Sequence, residues 1–127
     1  MKILLVDDEA EFVSALAERL SFRGIDADWV SRPEDAVARA QEKCYELAVL
    51  DVKMPKVSGI ALKKLLQEKC PEMRFIFLTG HGSEEEYRAG IAEAGADAYL
   101  LKPLQLEDLL AKLDEVKAER EREKADE

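Results

Sequence analysis

The sequence predicts a doubly wound α/β domain, a five-stranded parallel sheet in a three-layer sandwich with helices on both faces. Four short apolar runs, ILLV (3–6), LAVL (47–50), FIFL (75–78) and AYLL (98–101), are continuous rather than alternating. That is the pattern of strands buried on both faces. The segments between them carry apolar residues at helical spacing. A strand–helix alternation at this interval implies right-handed crossovers between parallel strands. The chain has 127 residues, one domain's worth, enough to bury a core without disulfides or structural metal.

Each element has its own signal. In Glu9 to Arg23, Phe12, Val13, Leu16, Ala17 and Leu20 share one helical face, and Gly24 sits where a glycine ends a helix. DADWV (26–30) alternates polar and apolar residues and suits an edge strand. SRPEDAVARAQEK follows, with Ser31 or Arg32 ahead of Pro33 in a helix's first turn. SGIALKKLLQEK, SEEEYRAGIAEAGA and QLEDLLAKLDEVKAEREREK complete the helical set. The last loses its apolar stripe after Leu113 and Val116, so residues 1–118 form the domain and 119–127 a charged tail. That tail reads as a solvated helix end that frays, or else as a stalk toward a partner or a lost domain.

Composition narrows the function classes. The net charge is −9, which argues against a general affinity for nucleic acid or anionic membrane, whose binding needs basic surface. Cys44 and Cys70 form no CxxC, and with one histidine in the chain a Cys/His zinc site is disfavoured. Both cysteines read as free thiols in a reducing compartment. No apolar run approaches a membrane span, and the start of the chain lacks a secretory leader, so the expected location is cytoplasmic.

The chemistry collects at the strand ends. The first strand runs into Asp7-Asp8-Glu9, the third into Asp51, the fourth into Thr79 and the fifth into Lys102. In open parallel sheets ligands bind beyond the carboxyl ends of the strands, where the winding reverses. In strand order 2-1-3-4-5 the reversal lies between the first and third strands. It brings Asp7, Asp8 and Asp51 together, with Thr79 and Lys102 beside them. Clustered carboxylates repel: at an effective dielectric near 20, two unit charges ~4 Å apart cost about 4 kcal/mol. A hard divalent cation such as Mg²⁺ relieves this, Lys102 offers a charge for a phosphoryl oxygen, and one Asp can serve as nucleophile.

Taken together, VDDE, LDVKMPKVSG, LTGHG and YLLKP, in this order and spacing, resemble the receiver domain of two-component response regulators, which has a flavodoxin-like fold. The resemblance covers roughly residues 2–116. It implies that Asp51 is the phosphoacceptor, that Asp8 binds Mg²⁺ directly and Asp7 mainly through water, and that the Lys53 main-chain carbonyl completes the protein ligands. It implies further that Lys102 contacts the phosphoryl group, that Thr79 moves to hydrogen-bond it, and that Tyr99 changes rotamer on activation. Lys102–Pro103 is expected to be a cis peptide. Taken singly, the same residues have plainer readings. Asp7-Asp8 suits a helix N-terminus, Thr79 a strand interior, Tyr99 simple packing, and Met54-Pro55 with Gly59 a loop where glycine permits close approach or positive φ.

Lys53 and His81 lie two residues after Asp51 and Thr79, where side chains border the path of attacking water; they are candidates for tuning phosphoryl lifetime. The partners implied are a histidine kinase or histidine phosphotransfer protein as donor. Downstream, movement of Thr79 and Tyr99 would alter the 84–116 face, which is expected to dock a protein target or a second copy, and the net charge disfavours direct binding to nucleic acid or membrane. The chain reads as a signalling phosphoacceptor that transfers its own phosphoryl group and loses it slowly, rather than as an enzyme acting on other substrates. It is either a stand-alone receiver or one excised from a larger regulator. A flavin-binding flavodoxin-like protein would want a Ser/Thr/Gly-rich phosphate loop where DDEAEF stands. An Asp-nucleophile phosphatase would typically place a second Asp where Lys53 stands.

Overall fold

A computed structural model describes residues 1–80, 92 and 98–125. The strands are β1 (Lys2–Val6), β2 (Asp26–Val30), β3 (Leu47–Asp51), β4 (Arg74–Thr79) and β5 (Ala98–Leu101). The helices among the described residues are α1 (Ala10–Ser21), α2 (Pro33–Glu42), α3 (Gly59–Lys69) and α4 (Leu106–Ala125). All strand pairs are parallel and the order is β2-β1-β3-β4-β5, as expected. Apart from Ala92, the helix expected over 83–96 falls outside the described residues, as does His81.

The continuous apolar runs are explained by two separate cores. Leu4, Val6, Ala48, Leu50, Phe75 and Phe77 face one side of the sheet, packed with Ala36 and Ala40 of α2 and Leu62 and Leu66 of α3. Ile3, Leu5, Leu47, Val49, Ile76 and Leu78 face the other, under Val13, Leu16 and Leu20 of α1 and Leu109, Leu113 and Val116 of α4. Alternate residues of the central strands therefore point into opposite cores, and neither set can be polar. β2 at the sheet's margin is only partly buried, which accounts for its alternating sequence.

The helix ends follow the local chemistry. Gly24 has φ +74°, and its N–H donates to the Ser21 carbonyl while that of Ile25 donates to Leu20, the paired bonds of a glycine-terminated helix. Arg32 precedes Pro33, the first residue of α2. The Ser58 hydroxyl accepts from the Ala61 N–H at 3.2 Å and starts α3.

α4 continues as helix to Ala125, and along its charged end Arg120 pairs with Glu46 and Glu123 with Arg74. One expectation changes. Cys44 and Cys70, expected as free thiols, are joined by a disulfide, with Cα atoms 5.7 Å apart. The reason is topological. β3 runs toward one pole of the sheet and α3 runs back, so the residues flanking this unit meet at the other pole.

Candidate functional site

The parallel sheet brings the ends of β1, β3, β4 and β5 to one pole, and backbone bonds fix their relative heights. Asp51 is level with Leu78, and Thr79 with Leu101. Val52 N–H donates to the Leu78 carbonyl at 2.9 Å, and Lys102 N–H to the Thr79 carbonyl at 2.8 Å. The chain turns after Lys102 through a cis bond to Pro103.

One carboxylate oxygen from each of Asp7, Asp8 and Asp51 lies within 4.8 Å of the others. Asp7 is fully buried and Asp51 is 4% exposed, whereas Asp8 faces solvent. The ammonium of Lys102 lies 2.6 Å from Asp7 Oδ2, 3.2 Å from Glu9 Oε1 and 3.6 Å from Asp51 Oδ2. Asp7 Oδ1 accepts from the Glu9 N–H at 2.9 Å, and Asp51 Oδ1 from the Lys53 N–H at 3.3 Å. Asp8, Glu9, Asp51, Lys53 and Lys102 line an open cleft of about 510 Å³ with Met54, Pro55 and Gly80, and Asp7 lies buried behind it.

The electrostatics are unbalanced. Three carboxyls (Asp7, Glu9, Asp51) share the Lys102 ammonium, and Asp8 adds a fourth acid beside them. Burial, and then the charge of Asp7, push the Asp51 carboxyl up to about 7; Lys102 opposes this and Asp8 adds to it. Burial also raises Asp7, against the pull of Lys102 and the Glu9 N–H. Burial disfavours the Lys102 cation, but its contacts to Asp7, Asp51 and Glu9 together more than offset that and hold it charged. Losing a proton from Asp51 is thus costly until more positive charge enters. Three oxygen donors that close, one of them solvent-facing, suit a hard divalent cation.

Thr79 is completely buried, and its hydroxyl has no hydrogen-bond partner among the described residues. Buried hydroxyls usually find one, so this oxygen, one residue before the cleft-lining Gly80, has hydrogen-bonding capacity to spare. Tyr99 is 48% exposed on β5, beside the equally outward Leu101. Of the expected site residues, Asp7, Asp8, Asp51, Thr79 and Lys102 are thus brought to one pole, Lys53 lines the cleft, and Tyr99 stands apart on the sheet's margin.

Two contributors, Glu9 and Phe12, were not singled out by sequence reasoning, and at Gly59 the structure decides between the two readings offered. Glu9 shares the Lys102 ammonium, and its adjacency to Asp7-Asp8 was the available signal. The ring of Phe12 lies 5.1 Å from that ammonium, over its face, a contact that helical spacing alone assigns to packing. At Gly59, a Cβ would stand 2.3 Å from the Asp51 carbonyl oxygen, so glycine here permits close approach rather than positive φ. A larger depression of about 640 Å³ lies at the far pole, but its cations Arg74 and Arg120 pair with Glu123 and Glu46.

The profile of the response regulator receiver domain matches residues 3–114. The chain is 38% identical over 114 residues to the two-component response regulator PhoP of Pseudomonas aeruginosa, covering 90% of this chain and 50% of that protein. It is 37% identical to the phosphate regulon transcriptional regulatory protein PhoB of Rhizobium meliloti, over 88% of this chain and 50% of that one. It therefore spans about half the length of these curated relatives. Among solved structures, a CheY-like receiver domain protein from Methanospirillum hungatei superposes with a TM-score of 0.87 at 32% identity, covering 96% of this chain and 97% of the other. With the profile spanning most of its length and the acidic cleft at the sheet's switch point, this chain belongs to the response regulator receiver domain family of two-component signalling.

Proposed function

We propose that this chain is a phosphorylation-activated receiver that takes a phosphoryl group from a phosphohistidine on a histidine kinase or phosphotransfer protein. The observation that carries the reading is Asp51: a buried carboxyl at the end of the central strand, flanked by two acids and 3.6 Å from an ammonium. In the transfer, a carboxylate oxygen of Asp51 attacks phosphorus and the P–N bond to the partner's imidazole breaks. The imidazole leaves with the bonding electrons and takes up a proton. Lys102 faces the incoming phosphoryl oxygens, and Thr79 supplies a hydroxyl donor to them.

Asp7, Asp8 and Asp51, with the Lys53 main-chain carbonyl, would hold Mg²⁺, which when bound supplies the positive charge that keeps Asp51 ionised and neutralises the phosphoryl oxygens. Hydrolysis of the aspartyl phosphate is slow and is tuned by Lys53 and by His81, which lies outside the described residues. The output surface is the 84–116 face, of which β5 and the first part of α4 are described. Tyr99 and Leu101 expose apolar surface there for a protein target or a second copy, without nucleic acid or membrane. A Thr79–Tyr99 switch needs only a modest difference in affinity between two arrangements to shift their populations. The place of action is cytoplasmic; no described helix is long and apolar enough to cross a membrane.

Acetyl phosphate with Mg²⁺ should add one acid-stable, base-labile phosphoryl group, read by mass spectrometry, and Asp51→Asn should abolish it. Label on a serine or threonine, or label that survives in Asp51→Asn, refutes the reading.

A further inference from the structure

The pole opposite the acidic cleft carries a second chemically active pair. Cys44 lies just before β3 and Cys70 caps the C-terminus of α3; the bond between them closes a segment containing all of β3, Asp51 and α3. Their surroundings are unequal. Cys44 is exposed, whereas Cys70 is 3% exposed and packs in the buried cluster with Ala40, Tyr45 and Met73. The Lys69 carbonyl oxygen lies 3.8 Å from the Cys44 sulfur, and the Lys43 ammonium stands over the Tyr45 ring.

We propose that Cys44 and Cys70 form a reversible dithiol–disulfide modification site, with Cys44 as the sulfur that meets low-molecular-weight disulfides and thiols and Cys70 as the resolving sulfur. In the oxidising direction the Cys44 thiolate attacks one sulfur of a disulfide of the glutathione class, and that S–S bond breaks to release a thiolate. Cys70, deprotonated, then attacks the Cys44 sulfur of the mixed disulfide and displaces the second thiolate. Two protein thiols lose two electrons and two protons, and the small disulfide becomes two thiols. Reduction reverses both steps, an outside thiolate attacking the accessible Cys44 sulfur while Cys70 leaves.

The asymmetry sets the order of events. Thiolate is the reactive form, and water solvates it at the exposed Cys44. Burial and the negative end of the α3 dipole disfavour it at Cys70. Cys70 is therefore a poor first nucleophile and a poor leaving group, which makes the closed bond slow to open once formed. Where disulfides occur in reducing compartments they are mostly transient or redox-sensing, so a reversible bond is compatible with cytoplasmic action. The pair lies a strand's length from Asp51, and the proposal does not depend on the phosphoacceptor reading.

The test is equilibration of the intact protein in glutathione buffers of graded ratio, followed by acid quenching, alkylation and mass spectrometry of whole protein and peptides. Wild type should interconvert between a form alkylated at both cysteines and an unalkylated form yielding a cross-linked 44–70 peptide pair. Cys70→Ser should trap glutathione on Cys44, while Cys44→Ser should leave a Cys70 thiol that reacts at least tenfold more slowly in the folded protein. Thiols that stay free across the oxidising range overturn the proposal, as does a bond that no dithiol opens in the native protein. Faster capture of glutathione by Cys70 than by Cys44 overturns the assigned order.

Discussion

Replacing Gly59 by alanine isolates the contact that seats the phosphoacceptor strand against α3. The new Cβ would stand 2.3 Å from the Asp51 carbonyl oxygen, 2.9 Å from its carbonyl carbon and 3.0 Å from Val52 Cα. All are backbone atoms, so no side chain can swing away. Ordinary carbon–oxygen contacts begin near ~3.3 Å, so β3 and α3 must separate locally by roughly 1 Å. The same residue's N–H donates to the Val52 carbonyl at 2.9 Å, and that bond stretches with the shift. Overpacking of this kind costs about 1–3 kcal/mol and a weakened hydrogen bond about 1 kcal/mol more. The better helix propensity of alanine returns at most about 1 kcal/mol. The expected net loss is about 1–4 kcal/mol, a fall of roughly 1–2 M in urea midpoint at an unchanged slope. Labelling of Asp51 by acetyl phosphate should slow in the same variant, because the displaced backbone is that of Asp51 itself. Gly24→Ala is the control. It loses about 1 kcal/mol through its left-handed backbone, with nothing within 4 Å of its Cβ, and leaves labelling unchanged. A Gly59→Ala protein as stable as wild type, or equal to Gly24→Ala in both measurements, refutes the reasoning.

Asp51→Asn should stabilise the fold at pH 8 by about 2 kcal/mol after discounting for solvent screening, and the gain should vanish near pH 4. The folded carboxyl sits near 7 against 3.8 unfolded, so the native state binds the extra proton and wild-type stability falls as pH rises from about 4 to 7. Urea titrations at both pH values read it, and a stability gain that is independent of pH counts against it. Reducing the Cys44–Cys70 bond, which spans 26 residues, should cost about 3.5 kcal/mol on the chain-entropy account, read as a lower urea midpoint in dithiothreitol that Cys44→Ser reproduces. Mg²⁺ at ten times its Kd should add about 1.4 kcal/mol to wild type in thermal melts. That increment should disappear in Asp8→Ala, and a response that persists there places the cation elsewhere.

The sequence alone determined the architecture, because strands buried on both faces admit only apolar residues and leave runs such as LAVL and FIFL in plain view. It also marked the strand-end residues Asp7, Asp8, Asp51, Thr79 and Lys102, since a lone polar residue closing an apolar run is conspicuous at any separation. The Cys44–Cys70 bond was invisible there, because chain separation says nothing about distance until the β3–α3 return brings both ends to one pole. The Phe12 ring over Lys102, the Lys63 ammonium buried over Phe75 and the Arg120–Glu46 clamp on α4 were hidden for the same reason. Each joins residues from different elements, and a helical pattern reports which face is apolar without saying what lies across from it. The protonation of Asp51 depended on tertiary structure most of all: any aspartate begins near 4, and only burial beside Asp7, Asp8 and Lys102 decides how far it moves.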